Sequence, residues 1–252
     1  MHATQQGWAR RLAWGLGLGL VLAMVATAAV ARSDAAWPIG PPEPEPAADW
    51  KVLFEADWSQ PNALERLRFT DRAAWRLADH EGRRVLELFQ ASRFQPPHRS
   101  PLSLALIDDL RVGSFVLDVE CMQTSRDYPH RDLVFVLGYQ APAEYYYVHI
   151  AAKADDHANN IFLVHQAPRR KIGVTTNDGN DWGQNQWRKV RVRRDVAEGT
   201  IEVFFDDMSK PIMTALDRTL GPGLVGIGSF DDTGRFAQVR LRGPALAPSP
   251  NQ

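Results

Sequence analysis

The feature that most constrains this chain is a hydrophobic period of two, repeated in short runs from about residue 84 to residue 243. The runs "RVLELFQ" (84–90), "SLALI" (103–107), "SFVLDVECM" (114–122), "DLVFVLGY" (132–139), "YYYVHIA" (145–151) and "NIFLVHQ" (160–166) all show it. So do "WRKVRVRR" (187–194), "TIEVFFDD" (200–207), "GLVGIGSF" (223–230) and "FAQVRLRG" (236–243). A strand turns successive side chains to opposite faces, so this period predicts strands with distinct faces. β-Branched and aromatic residues fill the runs, and turn sequences such as "NDGND" and "LGPG" separate them. No amphipathic helix longer than two turns is expected, except around "NALERLRF" (62–69). Roughly ten to fourteen strands without crossover helices predict an antiparallel two-sheet sandwich. At this length the expected form is a large jelly roll, with one sheet curved into a concave face.

The ends of the chain read differently. Arg10 and Arg11 precede an apolar run from Leu12 to about Val30, which closes on the small residues Ala29, Val30 and Ala31. That is the layout of a secretory signal peptide, and the run is also nearly long enough to be an uncleaved membrane anchor. Either reading of residues 1–31 places the rest of the chain outside the cytoplasm, as periplasmic, secreted or anchored on the outer side of the membrane. No cysteine lies near the cleavage region, which disfavours a lipid anchor. Residues 32–49 include "WPIGPPEPEPAAD" (37–49), too rich in proline to pack a core, and read as a linker. The folded domain is expected over residues 50–243, followed by a loose proline-rich tail over 244–252.

Composition excludes several classes. The formal net charge of −1 offers no electrostatic case for nucleic acid or an acidic membrane, so membrane contact is expected only through an uncleaved anchor. In "WRKVRVRR" the residues Arg188, Val190, Val192 and Arg194 point one way and Trp187, Lys189, Arg191 and Arg193 the other, as in a solvated outer strand. The lone Cys121 cannot form an internal disulfide, and it alternates with Phe115, Leu117 and Val119 as a buried small hydrophobe. There is no H-E-x-x-H, G-x-S-x-G, phosphate-binding glycine loop or paired zinc spacing. "FVLDVEC" puts Asp118 and Glu120 on one face but Val116 where jelly-roll glycosidases of the laminarinase kind carry their first carboxylate. A retaining glycosidase needs two carboxylates roughly 5–5.5 Å apart, so that mechanism is not expected here. Asp118 and Glu120 are read as solvent-facing.

One stretch carries candidate chemistry. On "YYYVHI" the side chains of Tyr145, Tyr147 and His149 share a face, and Tyr146, Val148 and Ile150 form the opposite, core face. Two phenols and an imidazole suit a sugar, whose C–H faces stack on rings while its hydroxyls take bonds from polar tips. The bland alternative is that the tyrosines cover a second hydrophobic layer and His149 is a satisfied buried histidine. "RDLVFVLGYQAPAEYYYVHI" reads as a hairpin turning at "QAPAE", and "HANNIFLVH" returns on the far side. Three successive strands then bring Asp132, His149 and Asn160 into one region. An Asp–His pair holds the imidazole in one tautomer and keeps it basic, as proton abstraction requires. The loop "KADDHANN" contains Asp155, Asp156 and His157, and "GSFDDTGRF" contains Asp231 and Asp232. Both are read first as turns and second as weak metal candidates, since neither has the spacing of a calcium loop.

The phrases "PPHRSPLSLALI", "YPHRDLVFVLGYQAPAEYYYVHIA", "WRKVRVRRDVAEGTIEVFFDD" and "PIMTALDRTLGPGLVGIGSFDDTGRFAQVRLRG" together resemble the 3-keto-disaccharide hydrolase-like domain family, a concanavalin A-like jelly roll of exported bacterial proteins. The resemblance spans most of the chain from about Trp50 to Gly243. It implies a glycoside or small saccharide as partner, oxidised to a ketone at sugar carbon 3. On that reading His149 is the candidate base and Asp132 its orienter, while Arg99, Arg131 and Tyr147 polarise the ketone or bind hydroxyls. Tyr145 and Asn160 complete the substrate-binding candidates, and a divalent metal, calcium or a catalytic ion, could serve as electrophile. The competing readings are a non-catalytic carbohydrate-binding module of the cell envelope and a structural envelope domain whose tyrosine face packs against its own core.

Overall fold

The computed structural model describes residues 50–244. The export segment (1–31), the linker (32–49) and all of the tail except Pro244 lie outside the described residues. Sixteen strands are present among those described: β1 (Lys51–Glu55), β2 (Leu67–Phe69), β3 (Trp75–His80), β4 (Arg83–Leu88), β5 (Ser103–Ile107), β6 (Phe115–Gln123), β7 (Asp132–Ala141) and β8 (Glu144–Ala151) come first. β9 (Asn160–His165), β10 (Arg170–Lys171), β11 (Gly173–Thr176), β12 (Trp187–Asp195), β13 (Thr200–Phe205), β14 (Met213–Leu216), β15 (Leu224–Ser229) and β16 (Gly234–Gly243) complete the series. One sheet runs β11-β14-β13-β12-β6-β16-β4-β3, with β1 also on β16, and the other runs β10-β9-β8-β7-β15-β5-β2. Every named pairing is antiparallel. This is the two-sheet sandwich that the alternation predicts.

The faces follow the period. Phe115, Leu117, Val119 and Cys121 of β6, Val190 and Val192 of β12, and Tyr146, Val148 and Ile150 of β8 all lie in the core between the sheets. Burial at about 25 cal/mol per Å² of apolar surface makes this core the main stabilising term. Cys121 is fully enclosed there, and burial pushes its thiol well above the usual range, as expected of a hydrophobe and not a nucleophile.

Two expectations are corrected. Residues 62–69 are not helical: successive i→i−3 bonds, such as Glu65 N–H to the Asn62 carbonyl and Leu67 N–H to Leu64, form turns that lead into β2. Asp118 does not face solvent; it is only 1% exposed. β6 is central, between β12 and β16, so long side chains from both neighbours close over it. Arg191 Nε lies 2.5 Å from one Asp118 oxygen and Arg242 Nη2 3.0 Å from the other. The outer face of this sheet is a layer of ion pairs, continued by Arg83 with Glu120 and by Arg76 and Arg235 with Glu87.

Candidate functional site

The hairpin β7–β8 sets the site. Its register pairs Asp132 with Ala151 and Val134 with His149, so Asp132 and His149 are diagonal neighbours on one face. His149 Nε2 stands 2.6 Å from Asp132 Oδ2, and the two residues are 3% and 1% exposed. The other carboxylate oxygen, Oδ1, accepts from Ser229 Oγ at 2.6 Å and from the Phe230 N–H at 2.9 Å. With a carboxylate oxygen as acceptor, the proton of this bond sits on Nε2, which in a neutral imidazole leaves the lone pair on Nδ1. That Nδ1 is buried and has no hydrogen-bond partner among the described residues. The His149 ring stacks on Phe230, with centroids 6.0 Å apart, and also meets Tyr147 and Phe162. The arrangement is an imidazole oriented by an aspartate, with its second ring nitrogen unpartnered among the described residues.

The turn after β15 holds the aspartate side of this pair. Asp232 Oδ2 accepts from the Asp132 N–H and the Tyr128 hydroxyl, both at 2.8 Å, and the Asp232 N–H donates to Ser229 Oγ. Burial and the nearby Asp132 charge raise the carboxyls of Asp231 and Asp232 above their ordinary range. Asp132, Asp231 and Asp232 offer oxygens within 4.8 Å of one another, the one such group of three among the described residues. Protein donors already occupy both Asp132 oxygens and one of Asp232, however. As arranged, the cluster is a hydrogen-bonded turn. The other metal candidates do not converge: Asp155 pairs with His130 and accepts from the His157 N–H, and Asp156 pairs with Lys171 at 2.7 Å.

Asp231 gives a pH-dependent expectation. Its folded-state value lies above the ordinary 3.8, so the folded chain holds this proton to a higher pH than the unfolded chain. Stability is therefore lost as pH rises from the ordinary value through the raised one, and stays lost above it. Asp231→Asn should melt higher than the wild type at pH 7, with the gap closing below about pH 4. Thermal unfolding of both proteins across that range checks it, and a constant gap would refute it.

The tyrosine face is covered. Tyr145 and Tyr147 lie with Leu104, Leu106, Val134 and Val136 in a second buried apolar layer on the outer side of the seven-stranded sheet, and do not present open rings. Ser100, in the connection from β4 to β5, hydrogen-bonds the Tyr145 phenol, which burial pushes well above its ordinary range. Asn160 stands opposite His149 in register, but its side-chain oxygen accepts from the Ile161 and Gly173 N–H groups. Arg131 is buried and donates to the Gly183 carbonyl. Alternation puts it on the face opposite to Asp132, away from the dyad. Arg99 does reach the site: it is exposed, 5.8 Å from the Phe230 ring.

Two contributors were not among the sequence candidates. Arg169, between β9 and β10, donates to the Tyr147 hydroxyl at 2.7 Å and the His157 carbonyl at 2.9 Å. Its guanidinium lies 4.4 Å from the Phe230 ring and 4.9 Å from Phe162. Phe230, half-buried, is the ring on which His149 and both arginines converge. In sequence, Arg169 sits in the polar turn "APRRK" and Phe230 at a strand end, and neither position signals these long-range contacts.

No protein-family model matches the chain, and no curated protein matches it. Solved structures do. A carbohydrate-binding module, CBM66 of Bacillus subtilis, superposes with a TM-score of 0.50 at 14% identity, over 71% of this chain and 96% of that one. The GH43 protein BlXynB of Bacillus licheniformis gives a TM-score of 0.54 at 11% identity, over 74% of this chain and 38% of that one, so this chain spans little more than a third of the enzyme. At such identities the likeness is one of fold: the chain is an antiparallel two-sheet jelly-roll sandwich.

Proposed function

We propose that this domain, exported from the cytoplasm, binds a saccharide over the His149–Asp132 dyad, at a rim formed by Arg99, Arg169, Phe230 and Asp231. The observation that carries the reading is the buried, unpartnered Nδ1 of an imidazole whose other nitrogen is fixed by an aspartate. A buried polar atom without a partner costs about 1–3 kcal/mol, which a ligand hydroxyl can recover by donating to it. Phe230 supplies the flat apolar surface a sugar ring stacks on, and the arginines supply N–H donors for its oxygens. The likeness in fold to the carbohydrate-binding module CBM66 of Bacillus subtilis supports the same reading. Screening against a glycan panel, followed by calorimetry, tests it. Saturable binding is expected, weakened about tenfold or more in Phe230→Ala, which loses the stacking surface. A full panel with no binder would sink it.

The same dyad favours a second reading, cleavage of a 3-keto-glycoside, the chemistry implied by the resemblance to the 3-keto-disaccharide hydrolase-like domain. A ketone at C3 acidifies the C2–H. The Nδ1 lone pair takes that proton, the C–H electron pair forms the enolate, and its collapse expels the glycosidic oxygen from C1, which is protonated as it leaves. Addition of water across the resulting double bond restores the keto sugar. On this reading His149→Ala loses more than about a hundredfold in rate, the usual weight of a general base. Unchanged release of free sugar from a 3-keto-disaccharide by that variant would remove His149 from the mechanism.

A further inference from the structure

We infer that the saccharide taken at this rim carries an anionic group, a carboxylate or a sulfate ester, seated between Arg99 and Arg169. The inference rests on the saccharide-binding reading and adds the charge of the ligand. Two guanidiniums approach one aromatic ring, Arg169 at 4.4 Å and Arg99 at 5.8 Å from the Phe230 centroid. Arg169 is held in a fixed pose, because one N–H of each terminal nitrogen is spent, on the Tyr147 hydroxyl and on the His157 carbonyl. The second N–H on each terminal nitrogen has no acceptor among the described residues. Arg99 has neither hydrogen bond nor ion pair among them, and its guanidinium lies near the Phe230 ring.

Most other arginines of the domain are paired. Arg66, Arg68, Arg76, Arg83, Arg84 and Arg188 each face a carboxylate within ion-pair distance. Arg72, Arg93, Arg111, Arg126 and Arg194 also face no carboxylate within that distance among the described residues, so what sets the rim apart is the approach of two guanidiniums to one ring. Asp231 feels both arginines but makes no ion pair with either, and burial and Asp132 raise its carboxyl despite them. A neutral sugar asks only for single N–H donors. Two unpaired forks beside an apolar ring match the paired oxygens of a carboxylate or sulfate, with charge-assisted bonds about twice as strong as neutral ones.

Calorimetric titration of the whole chain with oligosaccharides that bear uronates, their carboxyl-reduced counterparts, and sulfated oligosaccharides tests this. An anionic glycan should bind at least tenfold more tightly than its neutral counterpart, with the difference shrinking as salt rises. R99Q, at an exposed position, should bring that ratio towards one. Preference for the uronate or for the sulfate identifies which anion is read, and either supports the inference. Equal binding of acidic and reduced glycans, or a preference that R99Q leaves intact, overturns it while the saccharide reading stands. Binding of none of the three classes overturns both.

Discussion

Asp132→Ala is expected to destabilise the domain by about 3–5 kcal/mol, at the lower end of about 1–3 kcal/mol for each of three buried donors left unsatisfied. The magnitude follows from what the carboxylate holds. It accepts from His149 Nε2, Ser229 Oγ and the Phe230 N–H, and it is 1% exposed. Alanine leaves those donors in a pocket that water does not reach, so each loses its bond without gaining another. A domain of this size shifts its melting point by about 2–4 °C per kcal/mol, so a drop of roughly 10 °C is expected. Asp132→Asn separates the structural role from the functional one. The amide keeps the shape and one acceptor for Ser229 and Phe230, but its NH2 must face His149 Nε2. The imidazole proton then moves to Nδ1, and the lone pair aimed at the ligand is lost. A melting point within a few degrees of wild type, with ligand binding or turnover abolished, is the expected pattern. A fully active Asp132→Asn would show that the tautomer does not matter, and a stable Asp132→Ala would show that the carboxylate does not organise the site.

The same pair shows what the sequence made legible. The hairpin turns between β7, ending at Ala141, and β8, starting at Glu144, but a bulge shifts the register between Leu137 and Ala141, so the turn alone does not set the pairing farther along. Period two put Asp132 and His149 on a common face, but the register that makes them diagonal neighbours depends on that bulge, which the residues alone do not announce. Alternation also assigned the inward faces of β6, β8 and β12. It could not distinguish an open face from a covered one, because a strand under a second layer and a strand under solvent can share the same pattern when the residues are amphipathic. Tyr145 and Tyr147 are that case. Asp118 is a related one: a carboxylate on an outer face reads as solvated until arginines from both neighbouring strands are known to close over it. The short strands β2, β10, β11 and β14 run four residues or fewer, too few for a period to register. Arg169 and Phe230 meet across sixty residues of sequence, through the order of β9, β8, β7 and β15 in the sheet, and no local spacing encodes that order.

Gly179→Ala should cost several kcal/mol, and its effect should reach the rim through the loop beside it. Gly179 has φ +141°, and a Cβ there would sit 2.1 Å from the Ala152 carbonyl oxygen and 2.8 Å from the Lys153 Cα. Both obstacles are backbone, so no side chain can swing aside; the segment itself must move. It is tied down on both flanks: Asn180 N–H donates to the Ala151 carbonyl, and Ala154 N–H to that of Asp178. Beneath it, Asn159 is fully buried and bonds Asn177 and Asn180 through its amide, with Asn177 closing the set onto Gly179 and Asn180. Forcing the loop outward breaks bonds in this network, and together with backbone strain the cost is about 3–5 kcal/mol. The network anchors the loop 153–160, and that loop's His157 carbonyl is one of the two acceptors that fix Arg169. Glycan affinity should therefore fall in the Gly179→Ala protein even at temperatures where it remains folded. Gly82→Ala is the control: its φ of +75° is also unfavourable for alanine, but nothing lies within 4 Å of the added carbon. It should cost only about 1 kcal/mol and leave affinity unchanged. If urea unfolding gives the two variants the same stability, the close approach at Gly179 is not what holds the loop. If Gly179→Ala is destabilised but binds as tightly as wild type, Arg169 does not depend on the loop for its position.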